Sequence, residues 1–119
     1  MAKTSIPREN IEISVGDYYP DGWMSRSLSG TISGLSIGDT LEVEIYNPDY
    51  NMRYLENEVR LNVGTEIENR VMRARSIFRV STPIEDEVVD FEVSSSAFLI
   101  PDLLDMRERS LILKFFVSN

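Results

Sequence analysis

Apolar and polar residues alternate with a period of two over most of the chain, the pattern of strands that bury one face. Seven segments carry it. Ile11-Glu12-Ile13-Ser14-Val15 is the first, and a weaker one runs through Leu28, Gly30 and Ile32. The clearest is Thr40 to Tyr46, with Leu41, Val43 and Ile45 on one side and Glu42, Glu44 and Tyr46 on the other. Val59, Leu61 and Val63 define the fourth. The fifth is read as one strand over 70–80, with Met72, Ala74, Phe78 and Val80 facing Arg73, Arg75 and Arg79 across the backbone. Val89, Phe91 and Val93 mark the sixth, and Leu111 to Val117 the seventh.

Turn chemistry separates these segments. Tyr19-Pro20-Asp21-Gly22 combines a proline that presets φ with a glycine that accepts positive φ. Asn47-Pro48-Asp49 and Ser81-Thr82-Pro83 end their strands, because proline cannot continue a central ladder. Gly34 to Pro48 resembles the glycine-aspartate lead-in to a central strand of immunoglobulin-like modules. Two short helical turns are expected, at Pro101 to Arg107 and around Met52 and Leu55. No ten-residue amphipathic helices alternate with the strands, which argues against a parallel α/β sheet. Seven strands with one apolar face each predict an all-β, antiparallel two-sheet β-sandwich, immunoglobulin-like or jelly-roll-like. Residues 1–9 read as an N-terminal arm and 10–119 as one sandwich domain.

The last strand departs from simple alternation. Leu111, Leu113, Phe115 and Val117 form a core face, but the other face carries Ile112 and Phe116 beside Lys114. A strand apolar on both faces is covered on both. The 101–107 segment, the arm or another subunit is expected to cover that pair.

Composition changes the picture mainly by exclusion. The 119 residues include no cysteine and no histidine. Disulfides, thiol nucleophiles, Cys or His zinc sites and imidazole-based triads are therefore absent. The net charge of −8 argues against nucleic acid as a partner. No apolar run approaches a membrane span, and the first ten residues lack the apolar region of a signal peptide. The expectation is a product made in the cytoplasm. Ten of the twelve basic residues are arginine, and an acidic, lysine-poor surface also fits a high-salt proteome.

Three constellations could carry chemistry. Glu85, Asp86, Glu87, Asp90 and Glu92 place five carboxylates in eight residues. An acid pair for hydrolysis needs two carboxylates in different environments across a cleft; these sit in a loop and on a solvent face. Asp17, Asp21, Asp39, Asp49 and Asn51 could offer oxygens to calcium, but without the spacing of a calcium loop. No metal, cofactor or catalytic residue is assigned. Arg73, Arg75 and Arg79 are expected to form outer-face ion pairs with Asp90 and Glu92 in a hairpin.

The aromatic residues form the third group. Tyr18, Tyr19 and Trp23 cluster at the Pro20 turn, and Tyr46, Tyr50 and Tyr54 recur every four residues. With Ile112 and Phe116 they make up a candidate interface. The leading expectation is a non-enzymatic structural or interaction module, a subunit of a homo-oligomeric assembly such as a capsid decoration or tail protein of a virion. The alternative is a carbohydrate-binding sandwich that stacks glycan on its loop aromatics.

Overall fold

The alternating segments fold into two antiparallel sheets packed face to face, as a β-sandwich. The computed structural model describes residues 3–48, 56–99 and 101–119. In chain order the strands are β1 (Thr4–Ser5), β2 (Ile11–Val15), β3 (Ser27–Ile32), β4 (Thr40–Asn47), β5 (Glu56–Val63), β6 (Glu66–Arg73), β7 (Ser76–Pro83), β8 (Val89–Ser95) and β9 (Ile112–Ser118), with a 3-10 turn at Arg8–Asn10. A four-stranded sheet has the order β1-β9-β4-β7 and a five-stranded sheet the order β2-β3-β8-β5-β6. Among the described residues no helix is long and apolar enough to cross a membrane.

Inward side chains of the two sheets make one core. Leu41, Val43, Ile45, Leu113 and Phe115 come from the four-stranded sheet; Leu28, Ile32, Leu61, Phe91 and Val93 come from the other. Phe115 is the aromatic hinge of this core. Its ring lies 5.0 Å from Phe91 and 5.8 Å, edge to face, from Tyr18.

The expected fifth strand is two strands in different sheets. β6 pairs with β5 and β7 pairs with β4, and the chain crosses between them at Ala74-Arg75. Arg75 adopts φ 62° there, and its N–H donates to Asn47 O at 2.8 Å. The two-residue corner preserves parity, so Met72 before it and Val80 after it are both buried. Alternation alone passes through such a corner unbroken. On the other side β6 is joined to β5 by Gly64-Thr65, with Val63 opposite Glu66. Gly64 has φ 58°, the conformation that a two-residue hairpin asks of its first turn residue.

That topology overturns the expected arginine-acid hairpin. β8 lies between β3 and β5, so Asp90 faces Thr31, and Glu92 faces Ser29 and Asn62. Arg79 instead meets Glu44 on β4, Nε to Oε1 at 2.9 Å. Arg73 stands opposite Glu56 in the β5–β6 register, and Arg75 sits in the corner.

The segment 101–107 is not helical but a series of bends. Asp102 and Asp105 compete for the backbone. Asp102 Oδ1 accepts from Leu104 N at 2.8 Å and Asp105 N at 2.9 Å, while Asp105 Oδ1 accepts from Arg107 N at 3.0 Å. Such side-chain turns offer the backbone an alternative to the helix ladder. The second expected helical turn, at Met52 and Leu55, lies outside the described residues, as do Tyr50 and Tyr54.

A buried polar knot ties the sheets together at one end. Asn57 on β5 is 1% exposed and Asn47 on β4 is 2% exposed. Asn57 Nδ2 donates to Asn47 Oδ1 at 3.0 Å and to Ser95 Oγ at 2.8 Å; its Oδ1 accepts from Ser96 N at 3.0 Å and Ala97 N at 3.1 Å. Asn47 Nδ2 in turn donates to Arg73 O at 3.0 Å, just before the corner. Replacing Asn57 with leucine keeps the volume but strands these buried donors and acceptors. The expected loss is about 2–4 kcal/mol of stability, read as a shift in the urea midpoint with an unchanged slope.

Candidate functional site

The site grows from the outer edge of β9. Two separate segments share that edge. The arm takes one end: Thr4 pairs with Val117, Ser5 with Phe116, and Ile6 N donates to Phe115 O at 3.0 Å. The segment after the Pro20 turn takes the other. Leu113 N donates to Gly22 O at 2.9 Å, Trp23 bridges Ile112, and Met24 N donates to Leu111 O at 2.9 Å. Gly22 adopts φ 96°, a conformation that strains any L side chain, and a Cβ there would sit tightly, 3.1 Å from Ile112 Cγ2.

Where the two segments part, a groove of about 490 Å³ opens over Leu113, Lys114 and Phe115. Tyr18 reaches across it, and its hydroxyl donates to Leu113 O at 2.8 Å. That bond replaces a missing strand partner. Burial pushes the Tyr18 phenol above its ordinary value, with Arg8 pulling the other way. Lys114 is exposed and has no ion-pair partner among the described residues.

Each aromatic ring of the turn carries a guanidinium. Arg8 lies 3.6 Å from the centre of Tyr18, Arg107 lies 4.8 Å from Tyr19, and Arg109 lies 5.6 Å from Trp23. Arg8 also donates to Tyr19 O. Arg107 is held on both sides. Its Nη1 donates to Asp21 Oδ1 at 2.9 Å and Oδ2 at 2.8 Å, and its Nη2 to Asp105 Oδ2 at 2.8 Å. The Asp105 carboxyl is pulled well below the ordinary carboxylate range, first by the Arg107 side chain and then by its N–H. Tyr19 is raised, chiefly by desolvation and then by Asp17.

The outer face of the four-stranded sheet continues the site. Register places Trp23, Ile112, Tyr46 and Ile77 in one cross-strand row. Bridged residues present their side chains on the same face. Strands are spaced by about 4.8 Å, so Trp23 and Tyr46 stand roughly 10 Å apart with Ile112 between them. Ile77 is 48% exposed and the other three are half-buried. The neighbouring row is charged: Lys114, Glu44 and Arg79. Beyond it, Lys3 lies 4.5 Å over the Phe116 ring and bonds Glu42 at 2.8 Å.

Of the candidate interface residues, the register brings Trp23, Ile112 and Tyr46 into one outer row, while Tyr18 turns inward against Phe115 and Tyr19 lies under Arg107. Phe116 is covered from within the chain by Lys3 and Ser5. Sequence reasoning missed Ile77, Arg107 and Arg109. The signal for Ile77 was its parity with Arg79, but its neighbour Tyr46 is revealed only by the β4–β7 register. Among the described residues no group of three or more carboxylates gathers to hold a metal ion.

No family model matches this sequence, and no curated protein matches it. Similarity emerges at the level of structure. The chain resembles a family 35 carbohydrate-binding module from Clostridium thermocellum, with TM-score 0.55 and 8% identity over 100% of this chain and 99% of the other. It also resembles a family 35 carbohydrate-binding module from an environmental isolate, with TM-score 0.52 and 8% identity over 100% of this chain and 93% of that one. At such identity the likeness establishes the β-sandwich fold alone. These similar structures are carbohydrate-binding modules, so the expectation of a virion subunit gains no support from them.

The Asp105 shift predicts an acid threshold. A carboxyl lowered in the folded state stabilises it fully above the unfolded value, and that contribution is lost as pH falls through the folded value. The brace of Asp105, Arg107 and Asp21 is therefore expected to persist from pH 7 down to about 4, the unfolded carboxylate range, and to release only below it. Trp23 fluorescence, sensitive to Arg109 and the adjoining loop, reads the step. Asp105→Asn is expected to abolish it.

Proposed function

We propose that this chain is a non-catalytic carbohydrate-binding module. The observation that carries the reading is the row of Trp23, Ile112, Tyr46 and Ile77 on the outer face of the four-stranded sheet. Pyranose rings present flat patches of C–H bonds that stack on aromatic faces, while their hydroxyls seek charged and polar partners. The row supplies aromatic faces at two points. The parallel row of Lys114, Glu44 and Arg79 supplies donors and acceptors beside them. A pocket that combines apolar contact with a few placed polar groups is the usual form of a ligand site.

The fold supports the reading without carrying it, since one architecture serves many functions. The arginines of the turn give Tyr19 and Trp23 fixed orientations before any ligand arrives. Preorganised rings lose less entropy on binding. The acids at Glu85 to Glu92 belong to the other sheet and the loop before it, away from this row.

The test is binding to a panel of soluble and insoluble polysaccharides, followed by calorimetry on whatever binds. Trp23→Ala and Tyr46→Ala are each expected to weaken affinity by about tenfold or more, the loss of one buried aromatic contact, with unchanged circular dichroism. Absence of any polysaccharide ligand overturns the reading. So does undiminished binding by both variants.

A further inference from the structure

β6 forms one rim of the five-stranded sheet, and among the described residues nothing pairs with its outer edge. A free eight-residue edge presents a row of unpaired N–H and C=O groups, a template for a further strand. Its backbone polarity follows from β5. Gly64 N donates to Asp90 O at 3.0 Å and Glu58 O accepts from Ser96 N at 3.1 Å, so even-numbered β5 residues turn toward β8. Odd-numbered Val59, Leu61 and Val63 turn toward β6, where they oppose Arg70, Glu68 and Glu66. Bonding alternates along a strand. Ile67, Asn69 and Val71 therefore aim their N–H and C=O groups at the open edge.

The side chains follow the same alternation. Ile67, Asn69 and Val71 share the solvent face with Asn62, Arg60 and Glu58. Ile67 is 70% exposed and Val71 is 61% exposed, both unusual for an outer face. On the opposite face Glu68 and Arg70 reach solvent at the rim, with Arg70 Nε 3.4 Å from Glu68 Oε2.

We propose that β6 pairs antiparallel with β6 of a second copy of this chain, about a two-fold axis through Asn69, joining the five-stranded sheets into one. The sequence of the strand is self-complementary in that register. Ile67 meets Val71 of the second copy on the outer face, and Val71 meets its Ile67. Glu68 meets Arg70 of the second copy on the inner face, and Arg70 meets its Glu68. Asn69 meets its own counterpart with both backbone bonds available. A two-fold contact must be self-complementary in this way.

The charges also select the register. Sliding by two residues keeps the backbone bonds aligned and every side chain on its own face. One such slide sets Glu68 against Glu68 and parts Ile67 from Val71, although it brings Glu66 opposite Arg70; the other sets Arg70 against Arg70, and like charges directly opposite are destabilising. A parallel, in-register arrangement repeats both clashes. The pairing stands independently of any ligand on the other sheet.

The experiment is sedimentation equilibrium of the full chain from about 1 µM to 1 mM, the range in which a small edge contact reports. The native chain is expected to dimerise. Glu68→Arg and Arg70→Glu are each expected to raise the dimer dissociation constant by about tenfold or more, through two symmetric pairs turned repulsive. Mixing the two variants is expected to restore a heterodimer, since each then faces opposite charge. The Glu68→Arg/Arg70→Glu double variant is expected to recover the homodimer. Unchanged melting curves of the single variants separate loss of pairing from loss of fold. A native chain monomeric throughout, a dimer indifferent to either single reversal, or variants that fail to associate when mixed each overturns the proposal.

Discussion

The outer edge of β9 is the constraint on which the functional face depends. A strand at the centre of the core cannot leave its outward backbone groups buried without partners. No single strand of this chain satisfies that edge. The arm serves Phe115 to Val117, the Gly22-Trp23-Met24 segment serves Leu111 to Leu113, and the Tyr18 hydroxyl serves the carbonyl between them. The groove, the placement of Trp23 beside Ile112, and the cover over Phe116 all follow from that division. Gly22 makes it feasible, because its φ of 96° is one that L side chains rarely adopt.

Arginine preference and aromatic clustering, separate features in the sequence, become one feature in the fold. A guanidinium is planar and stacks on a ring while its edges remain free for carboxylates. Arg107 uses both properties, lying over Tyr19 and bridging Asp21 to Asp105. A lysine in its place could offer charge but neither the plane nor the fork. The turn at 18–23 and the bends at 101–109 lie far apart in sequence, and this arginine fixes one against the other. The order of a loop that contains the almost fully exposed Leu103 and Leu104 thus rests on polar contacts rather than on burial.

The sandwich was legible in the period-two pattern, since alternation reports burial on one face directly. Strand partners were not. Alternation carries no information about which strand lies beside which, so Arg79 was matched with Asp90 and Glu92 when its partner is Glu44. A corner that preserves parity, as at Ala74-Arg75, is invisible to the same reading. The 101–107 segment misled for a different reason. Proline, early acids and a late arginine suit a helix end, but Asp102 and Asp105 bind their own backbone and divert it. The candidate site was half legible. Trp23, the tyrosines and Ile112 stood out by type and by the two-faced last strand. Ile77 and the arginine stacking needed the register.

Net charge is a poor guide to where this molecule meets others. A charge of −8 creates a field that disfavours polyanions at long range. At contact distance the local arrangement decides, and it differs from the average. Arg8, Arg107, Arg109 and Lys114 surround the aromatic turn and its groove. Two of them are engaged with carboxylates of their own chain, Arg107 with Asp21 and Asp105 and Arg109 with Asp105. Arg8 and Lys114 have no carboxylate partner among the described residues, so the groove between the arm and the turn keeps a local positive balance that the chain-wide charge hides, beside rings that are oriented but not enclosed.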